Sequence, residues 1–515
     1  MKTAVQTTIR NYKKATMIVI LVGIALCAFA VLTLWMASKP FTKAGSVDRL
    51  QHILNATVEI RGFRQTYFPY AGYVAEGVTI HQKQSPGTSV PPFLSVNRLT
   101  VQASYFGLFH KPHHLRTVLA EGVHIVIPEN GVNLLSPSSG KTDPVIIAEL
   151  RIEQATLDVA SSTHEPGPLR FAIHSARFLN VGPDSTVAFS SSVHIPEPPG
   201  EVETKGWIGP WRDDHGTVRS TPISGSYVLR AANLGHYASL DGILSSQGEF
   251  LGTLARLNVK GSTNSPDFGV RESGHHFLIK TRFIGSVDLK NGDVDITALQ
   301  ADFGKTTLAA TARVAGPQKA VSLNVIRGKG ELQDLILLFS NAPHSPILGP
   351  ISFTAKAALP PGDRPFTERV RLEGTFDIDR AHFTAPKTQQ GVDKLSAESQ
   401  GEHSALAEDN DAVSDLDGQV TLKDGIARFS QITFSVPGAT ANMAGTYSLL
   451  NKRVKFDGKM RMKATLSQAT TGAKSVFLKV LDPFYKKKGA GAELPVQMAG
   501  IYGDTHFSVG LRAKK

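Results

Sequence analysis

Apolar and polar side chains alternate along much of this chain, and a repeat of two residues is the mark of a strand with one covered and one wet face. Phe277, Ile279, Phe283, Val287 and Leu289 share one parity, while Lys280, Arg282, Asp288 and Lys290 take the other. The alternation recurs at Val123, Ile125 and Ile127, at Leu257 and Val259, at Val370 and Leu372, and at Ile432, Phe434 and Val436. It returns at Met460, Met462, Ala464 and Leu466, where Lys459, Arg461 and Lys463 form the opposite face. Between the runs stand Asn130-Gly131, Asn291-Gly292, Asp417-Gly418, Asp424-Gly425 and Asp457-Gly458, dipeptides that supply positive φ for two-residue hairpins. The pattern predicts a mainly β chain built as an antiparallel meander.

One stretch has no alternation at all. Residues Met17 to Met36 read MIVILVGIALCAFAVLTLWM without a charged side chain, and at about 1.5 Å per residue they match a hydrocarbon core of roughly 30 Å. Lys2, Arg10, Lys13 and Lys14 precede the run with no acid beside them, so the positive-inside rule leaves residues 1–16 in the cytoplasm and sends the chain after about Ser38 across. Ala28 and Ala30 around Phe29 also fit a cleaved secretory signal. A signal's apolar stretch is typically about 7 to 15 residues, and continuation through Val31, Leu32, Leu34 and Trp35 favours a retained anchor. Cys27 lies inside this span, so no disulfide can staple the exported part.

Helical spacing is sparse beyond the anchor. Ser46 caps a candidate through Leu50, Ile53 and Leu54, and Leu332, Leu335, Ile336, Leu338 and Phe339 make a second. Near 474–488, Val476, Phe477, Val480, Leu481 and Phe484 share a face that Lys486, Lys487 and Lys488 leave free, which suits a helix over a sheet edge or on a membrane surface. Residues 387–415 are polar and acidic, and they read as a mobile loop between two strand-rich regions. Leu257, Val259, Gly261 and Phe268 match Val496, Met498, Gly500 and Phe507 in spacing, as two strand-turn units of one type would.

Composition adds bounds to this picture. With 41% hydrophobic and 19% charged residues the exported part is expected to fold. The net charge of +11 suits anionic surfaces, yet the basic residues are scattered and no aromatic nucleic-acid motif accompanies them, so nucleic acid is not an expected partner. The chain holds no Gly-x-Ser-x-Gly elbow, phosphate-cradling loop, His-Glu-x-x-His or dinucleotide fingerprint. His110, His113 and His114 read as a loop cluster, His275 and His276 point to opposite faces, and Asp288, Asp293 and Asp295 flank a turn. No catalytic residue, metal site or cofactor is assigned.

Several segments resemble the AsmA family of envelope proteins of bacteria with two membranes. They are GVTIHQ at 77–82, PFLSVNRLTVQASYFGLF at 92–109, VLAEGVHIVIP at 118–128, VRLEGTFDIDRAHFT at 370–384, VDKLS at 392–396, VPGATANMAGTYSL at 436–449, KSVFLKVLDPFYKKKG at 474–489 and ELPVQMAGIYGDTHFSV at 493–509. Gly503-Asp504-Thr505-His506-Phe507 departs from the family, which more often has a proline before the aromatic residue. The resemblance implies an elongated, twisted antiparallel sheet folded into a groove, similar to bridge-like lipid transfer proteins, with one N-terminal transmembrane helix and a few short helices. It divides the chain into a cytoplasmic segment (1–16), an inner-membrane anchor (17–36), an exported β-rich region (38–386), the polar loop (387–415) and a C-terminal β region (416–515).

About 30 strands at roughly 4.8 Å would extend on the order of 140 Å. By this reading the protein is no enzyme but a periplasmic carrier of phospholipid acyl chains, with an outer-membrane or periplasmic protein at its far end. Phe277, Ile279, Phe283, Val287, Leu289, Ile432, Phe434, Val436, Met460 and Met462 are the expected groove lining. A packed interior would instead make a tethered scaffold for envelope assembly, and convergent carboxylates or an activated serine would make a hydrolase. Periodicity cannot separate groove from closed core, because either covers one face of each strand.

Overall fold

The computed structural model of the chain describes residues 43, 44, 47, 51, 56–66, 68–82, 92–103, 113–127, 145–159, 168–182, 184–196, 198–212, 220–236, 240–271, 273–289, 293–315, 320–360, 364, 366–400, 414–462, 493–501 and 504–509. The expected anchor at 17–36, the basic helix near 474–488 and the Asn130-Gly131 and Asn291-Gly292 turns lie outside the described residues, as does most of the Ser46 helix. No helix among the described residues is long and apolar enough to cross a membrane.

Strands dominate what is described. The first group is β1 (Ala56–Thr66), β2 (Ala71–Gln82), β3 (Leu94–Ala103), β4 (His113–Ile127), β5 (Val145–Val159), β6 (Leu169–Val181), β7 (Val187–Pro196) and β8 (Pro199–Ile208). The middle holds β9 (Pro222–Asn233), β10 (Leu240–Asp241), β11 (Ile243–Thr253), β12 (Arg256–Val270), β13 (His276–Asp288), β14 (Val294–Phe303), β15 (Thr306–Ala315) and β16 (Ala320–Glu331). The last group is β17 (Ile347–Leu348), β18 (Pro350–Leu359), β19 (Arg371–Phe383), β20 (Ser414–Lys423), β21 (Ile426–Val436), β22 (Ala439–Ser448), β23 (Arg453–Met462), β24 (Glu493–Ile501) and β25 (Asp504–Val509).

All belong to one large, twisted open sheet. Each long strand pairs with its neighbours in the chain, while the two-residue β10 and β17 sit at the ends of β12 and β19, so that β9 meets β11 and β16 meets β18. The ladders are antiparallel except β4–β5, which is parallel. Setting β10 and β17 aside, the described strands span roughly 105 Å along the ladder at about 4.8 Å per step.

Burial divides the sheet into two regimes. In the first strands the apolar face is sealed: Leu150, Ile152 and Leu157 are 0% exposed, and Phe171 and Ile173 are 1% exposed. These side chains join one core that runs from Ala56 to Ile223 and takes in Leu254, Leu257, Val287 and Leu289. Each fully buried aliphatic or Phe there contributes about 1.5–3 kcal/mol. Farther on, the buried residues fall into small separate groups, and Ile279, Phe283, Leu299, Leu323, Leu372 and Leu422 are only half-buried.

Bulges bend this second region. Register shifts fall at Thr297 and Ala298 in β14, Ile326 and Arg327 in β16, and Ser430 and Gln431 in β21, and all six side chains are exposed. An extra residue in one strand of a pair increases the local twist and bends that strand.

Three α-helices and a 3-10 turn at Leu234–His236 decorate the described sheet. α1 (Leu332–Phe339) lies where the apolar spacing predicts a helix, and Leu332, Leu335 and Ile336 pack with Ile351, Ile378, Phe353 and Leu416. α2 (Phe366–Arg369) is a single turn before β19, and the Arg369 guanidinium donates to the Pro360 carbonyl at 3.0 Å. α3 (Pro386–Gln400) occupies the first part of the segment expected to be a loop. Val392 and Leu395 pack with Val436, Ala439 and Met462, and Ser396 Oγ donates to the Pro437 carbonyl at 3.0 Å. Docking onto β21 and β22 makes this amide-rich stretch helical, residues 401–413 lie outside the described residues, and Ser414 and Asp415 already belong to β20.

Two expected turns are not turns. Asp424-Gly425, with φ of 51° and 72°, does join β20 to β21, but Asp417-Gly418 and Asp457-Gly458 lie inside β20 and β23. A Cβ on Gly418 would stand 2.9 Å from Phe376 Cζ, and one on Gly458 would stand 2.7 Å from Met443 Cγ. These glycines make room for a cross-strand side chain. The spacing match between Leu257–Phe268 and Val496–Phe507 also covers different structures, one long strand in β12 and the β24–β25 hairpin.

Candidate functional site

The sequence-derived lining residues fall in two patches, on β13 and on β21 to β23, and the register joins them. From Phe283 one transverse row passes to Leu299, Ala310, Val325 and Ala355. It continues through Gly374, Val420, Phe429, Gly445, Phe456 and Met498. Directly paired residues of an antiparallel ladder share a face. The two patches are therefore ends of one apolar surface.

Each patch meets that surface differently. Phe277 and Ile279 are half-buried, Phe277 packing edge-on against Phe303 with ring centroids 6.5 Å apart. Val287 and Leu289 are buried in the N-terminal core, and the Leu289 amide donates to the Ala255 carbonyl at 2.8 Å. Ile432 is buried beside Phe456, while Val436, Met460 and Met462 are buried in the group that α3 covers. Phe434 is half-buried opposite Leu416 and Ala441. Phe277, Ile279, Phe283 and Phe434 thus remain partly open, and the other six are covered by the chain itself.

Aromatic rings on this face lie over glycines of the next strands. Gly261 sits between Tyr227 and Phe283, and a Cβ there would stand 2.9 Å from both Tyr227 Oη and Phe283 Cζ. Phe250 lies across Gly225, Tyr227 across Gly248, and Phe353 across Gly328 in the same way. Phe376, Phe429 and Phe456 then form a chain of rings with centroids 6.2 Å and 5.5 Å apart. A ring laid flat on its own sheet covers backbone without projecting far above it, and that keeps the apolar surface shallow and continuous.

Sequence reasoning missed a polar line on the same face. Ser191 Oγ and Thr204 Oγ1 are 2.8 Å apart, Tyr227 Oη and Ser246 Oγ 3.2 Å, and Thr263 Oγ1 and Thr281 Oγ1 2.6 Å. Only their parity with Val193, Val259 and Phe283 could have revealed them, and Ser and Thr do not stand out in a list of apolar positions.

The opposite face is polar and carries two clefts. One of about 1,020 Å³ is lined by Arg313, Asn324, Lys356, Arg371 and Glu373, and one of about 510 Å³ by Ser352, Thr354, Asp377 and Asp417. Asp377 and Asp417 are direct cross-strand partners. Desolvation, then repulsion from Asp379, Asp417 and Asp415, pushes the Asp377 carboxyl above its usual range. Of the turn acids, the Asp295 carboxylate meets Arg313 at 3.3 Å, while Asp288 and Asp293 are joined through the backbone, the Asp288 amide donating to the Asp293 carbonyl at 2.8 Å. His275 Nε2 donates to the Ala342 carbonyl at 2.8 Å, and His276 Nδ1 to that of Asp267 at 3.0 Å. No group of His, Cys, Asp and Glu able to hold a metal occurs among the described residues. Comparison of the chain with protein-family models, with curated proteins and with solved structures finds no match, so the site is read from its own geometry.

Proposed function

We propose that this chain is a membrane-anchored carrier of the AsmA type, which shelters phospholipid acyl chains on the apolar face of β11 to β23 and performs no chemical step. The observation that carries the reading is the unbroken cross-strand row from Phe283 to Met498, half-exposed over much of its length. An acyl chain in water costs about 0.8 kcal/mol per methylene, and a continuous apolar surface offsets most of that. The resemblance adds the setting, an inner-membrane anchor at 17–36 and a periplasmic sheet.

The sealed strands β2 to β7 limit the path. With Leu150, Ile152 and Leu157 fully covered, that half is a support, and lipid occupies only the later strands. The same sealed half favours the rival reading, a tethered scaffold that carries no lipid. A photoreactive residue at Phe283 or Leu372 of the full-length protein in its membrane tests the choice. Crosslinking followed by mass spectrometry is expected to yield phospholipid adducts at both, and none at the outward-facing Lys280. Absence of adducts at the two inward positions would leave the scaffold.

A further inference from the structure

The hydroxyl line has more donors than its own pairs use. Register sets Ser191 opposite Thr204, Thr204 opposite Tyr227, Ser246 opposite Thr263, and Thr263 opposite Thr281, so the line crosses six neighbouring strands from β7 to β13. It runs where the sealed half of the sheet gives way to the open half. On an otherwise apolar face, a hydroxyl is unfavourable unless it is bonded.

Counting hydrogens separates the members. Ser246 Oγ donates to the Ser262 carbonyl at 3.1 Å, so the Tyr227 hydroxyl donates to Ser246 and that chain is complete. In each of the pairs Ser191–Thr204 and Thr263–Thr281 one hydroxyl donates to the other. The second hydroxyl of each pair then holds a hydrogen with no acceptor among the described residues. All four of these side chains are half-buried, reachable from the apolar face. The two pairs are roughly 19 Å apart, four strand spacings. Beside the second pair lie Ile279 and Phe283 on the same strand, and Gly261 keeps the floor low.

We infer that the Thr263–Thr281 pair is a station for an ester carbonyl of a diacyl glycerolipid, whose acyl chains lie over Ile279, Phe283 and the row beyond, while the Ser191–Thr204 pair begins in sealed β7 and lies off the lipid's path. This rests on the lipid-carrier reading and sharpens it to ester-linked lipids. An ester carbonyl accepts hydrogen bonds and brings no hydrogen of its own, which complements one surplus donor per pair.

The test compares a dioleoyl phosphatidylglycerol with its di-ether analogue, identical in headgroup and chains but lacking carbonyls, for binding to the detergent-solubilised full-length protein. The native chain is expected to bind the ester lipid about 3- to 10-fold more tightly, the equivalent of about one net hydrogen bond. Thr263→Val with Thr281→Val removes the preference and leaves ether-lipid binding unchanged, whereas Thr354→Val with Thr375→Val, an outward-facing pair 2.8 Å apart, preserves it. If the double valine variant melts early, Thr281→Val against Thr281→Ser reads the same ratio, with serine expected to retain the preference. Equal binding of the two lipids by the native chain, or a preference that survives the loss of both hydroxyls, overturns the ester station while leaving lipid carriage standing. Binding of neither lipid overturns both.

Discussion

Asp158, its side chain 7% exposed, accepts from Arg170 Nε at 2.7 Å and Nη2 at 2.8 Å, and it lies 3.0 Å from His124 Nε2. The Arg170 hydrogen bonds, partly opposed by burial, hold its carboxyl below the ordinary range. A carboxylate with a lowered folded pKa stabilises the fold above its unfolded pKa, and that contribution disappears as pH falls through the folded value. The stability gap between the native chain and Asp158→Asn, read by urea unfolding, is therefore expected to hold steady at neutral pH. It should begin to shrink below about pH 3.8 and close at lower pH. At this scale the chain was only partly legible. The inward parity of Phe283 and Phe434 could be read from neighbours two residues away, but Gly418 and Gly458 looked like turn residues because the rings and thioethers they accommodate come from other strands. The hydroxyl line was hidden for the same reason, since its members are joined only by register.

Elements differ in how far local sequence determines them. α1 was visible because four of its apolar positions fall on one helical face, and it is fastened by a residue that the pattern does not mark. Buried Asp334 accepts from the Lys305 amide at 2.7 Å and Thr306 Oγ1 at 2.9 Å, clamping the helix to the β14–β15 turn. Asp334→Ala strands those donors and is expected to cost about 1–3 kcal/mol. Hydrogen exchange checks this, with faster exchange expected at Lys305 and through residues 332–339 while β3 to β6 stay unchanged. α3 was not visible, because its sequence is polar and contains Gly391, and what holds it is a set of contacts to strands about 40 residues later. Strands were legible where the period of two was plain, as at Phe277–Leu289 and Ile432–Val436, but His113 and His114 in β4 were read as loop and Asp417-Gly418 and Asp457-Gly458 inside β20 and β23 as turns.

Across the whole molecule, the sealed and the open halves produce the same alternation, and only the coordinates separate them. Val123 and Ile125 in β4 repeat with the parity spacing of Phe277 and Ile279 in β13, yet the first pair is buried and the second half-exposed. Local stability follows buried contact, so backbone amides of β3 to β6 are expected to exchange orders of magnitude more slowly than those of β14 to β20. Uniform protection from end to end would mean that the later strands are covered in solution and would count against an accessible face.

The pairing of nearly every strand with its chain neighbours has a consequence for how such a molecule can change size. A ladder in which each new hairpin needs only the strand before it can be lengthened or shortened by whole hairpins, in increments of roughly 10 Å, without disturbing the rungs already laid. Among the described residues, the parallel β4–β5 junction is the one long-strand pairing without that freedom, because a parallel pair needs a crossover to return the chain to its starting end. Reach is thus a heritable dimension of everything beyond β5, open to tuning by duplication or loss of strand pairs, while the first strands form a fixed foundation.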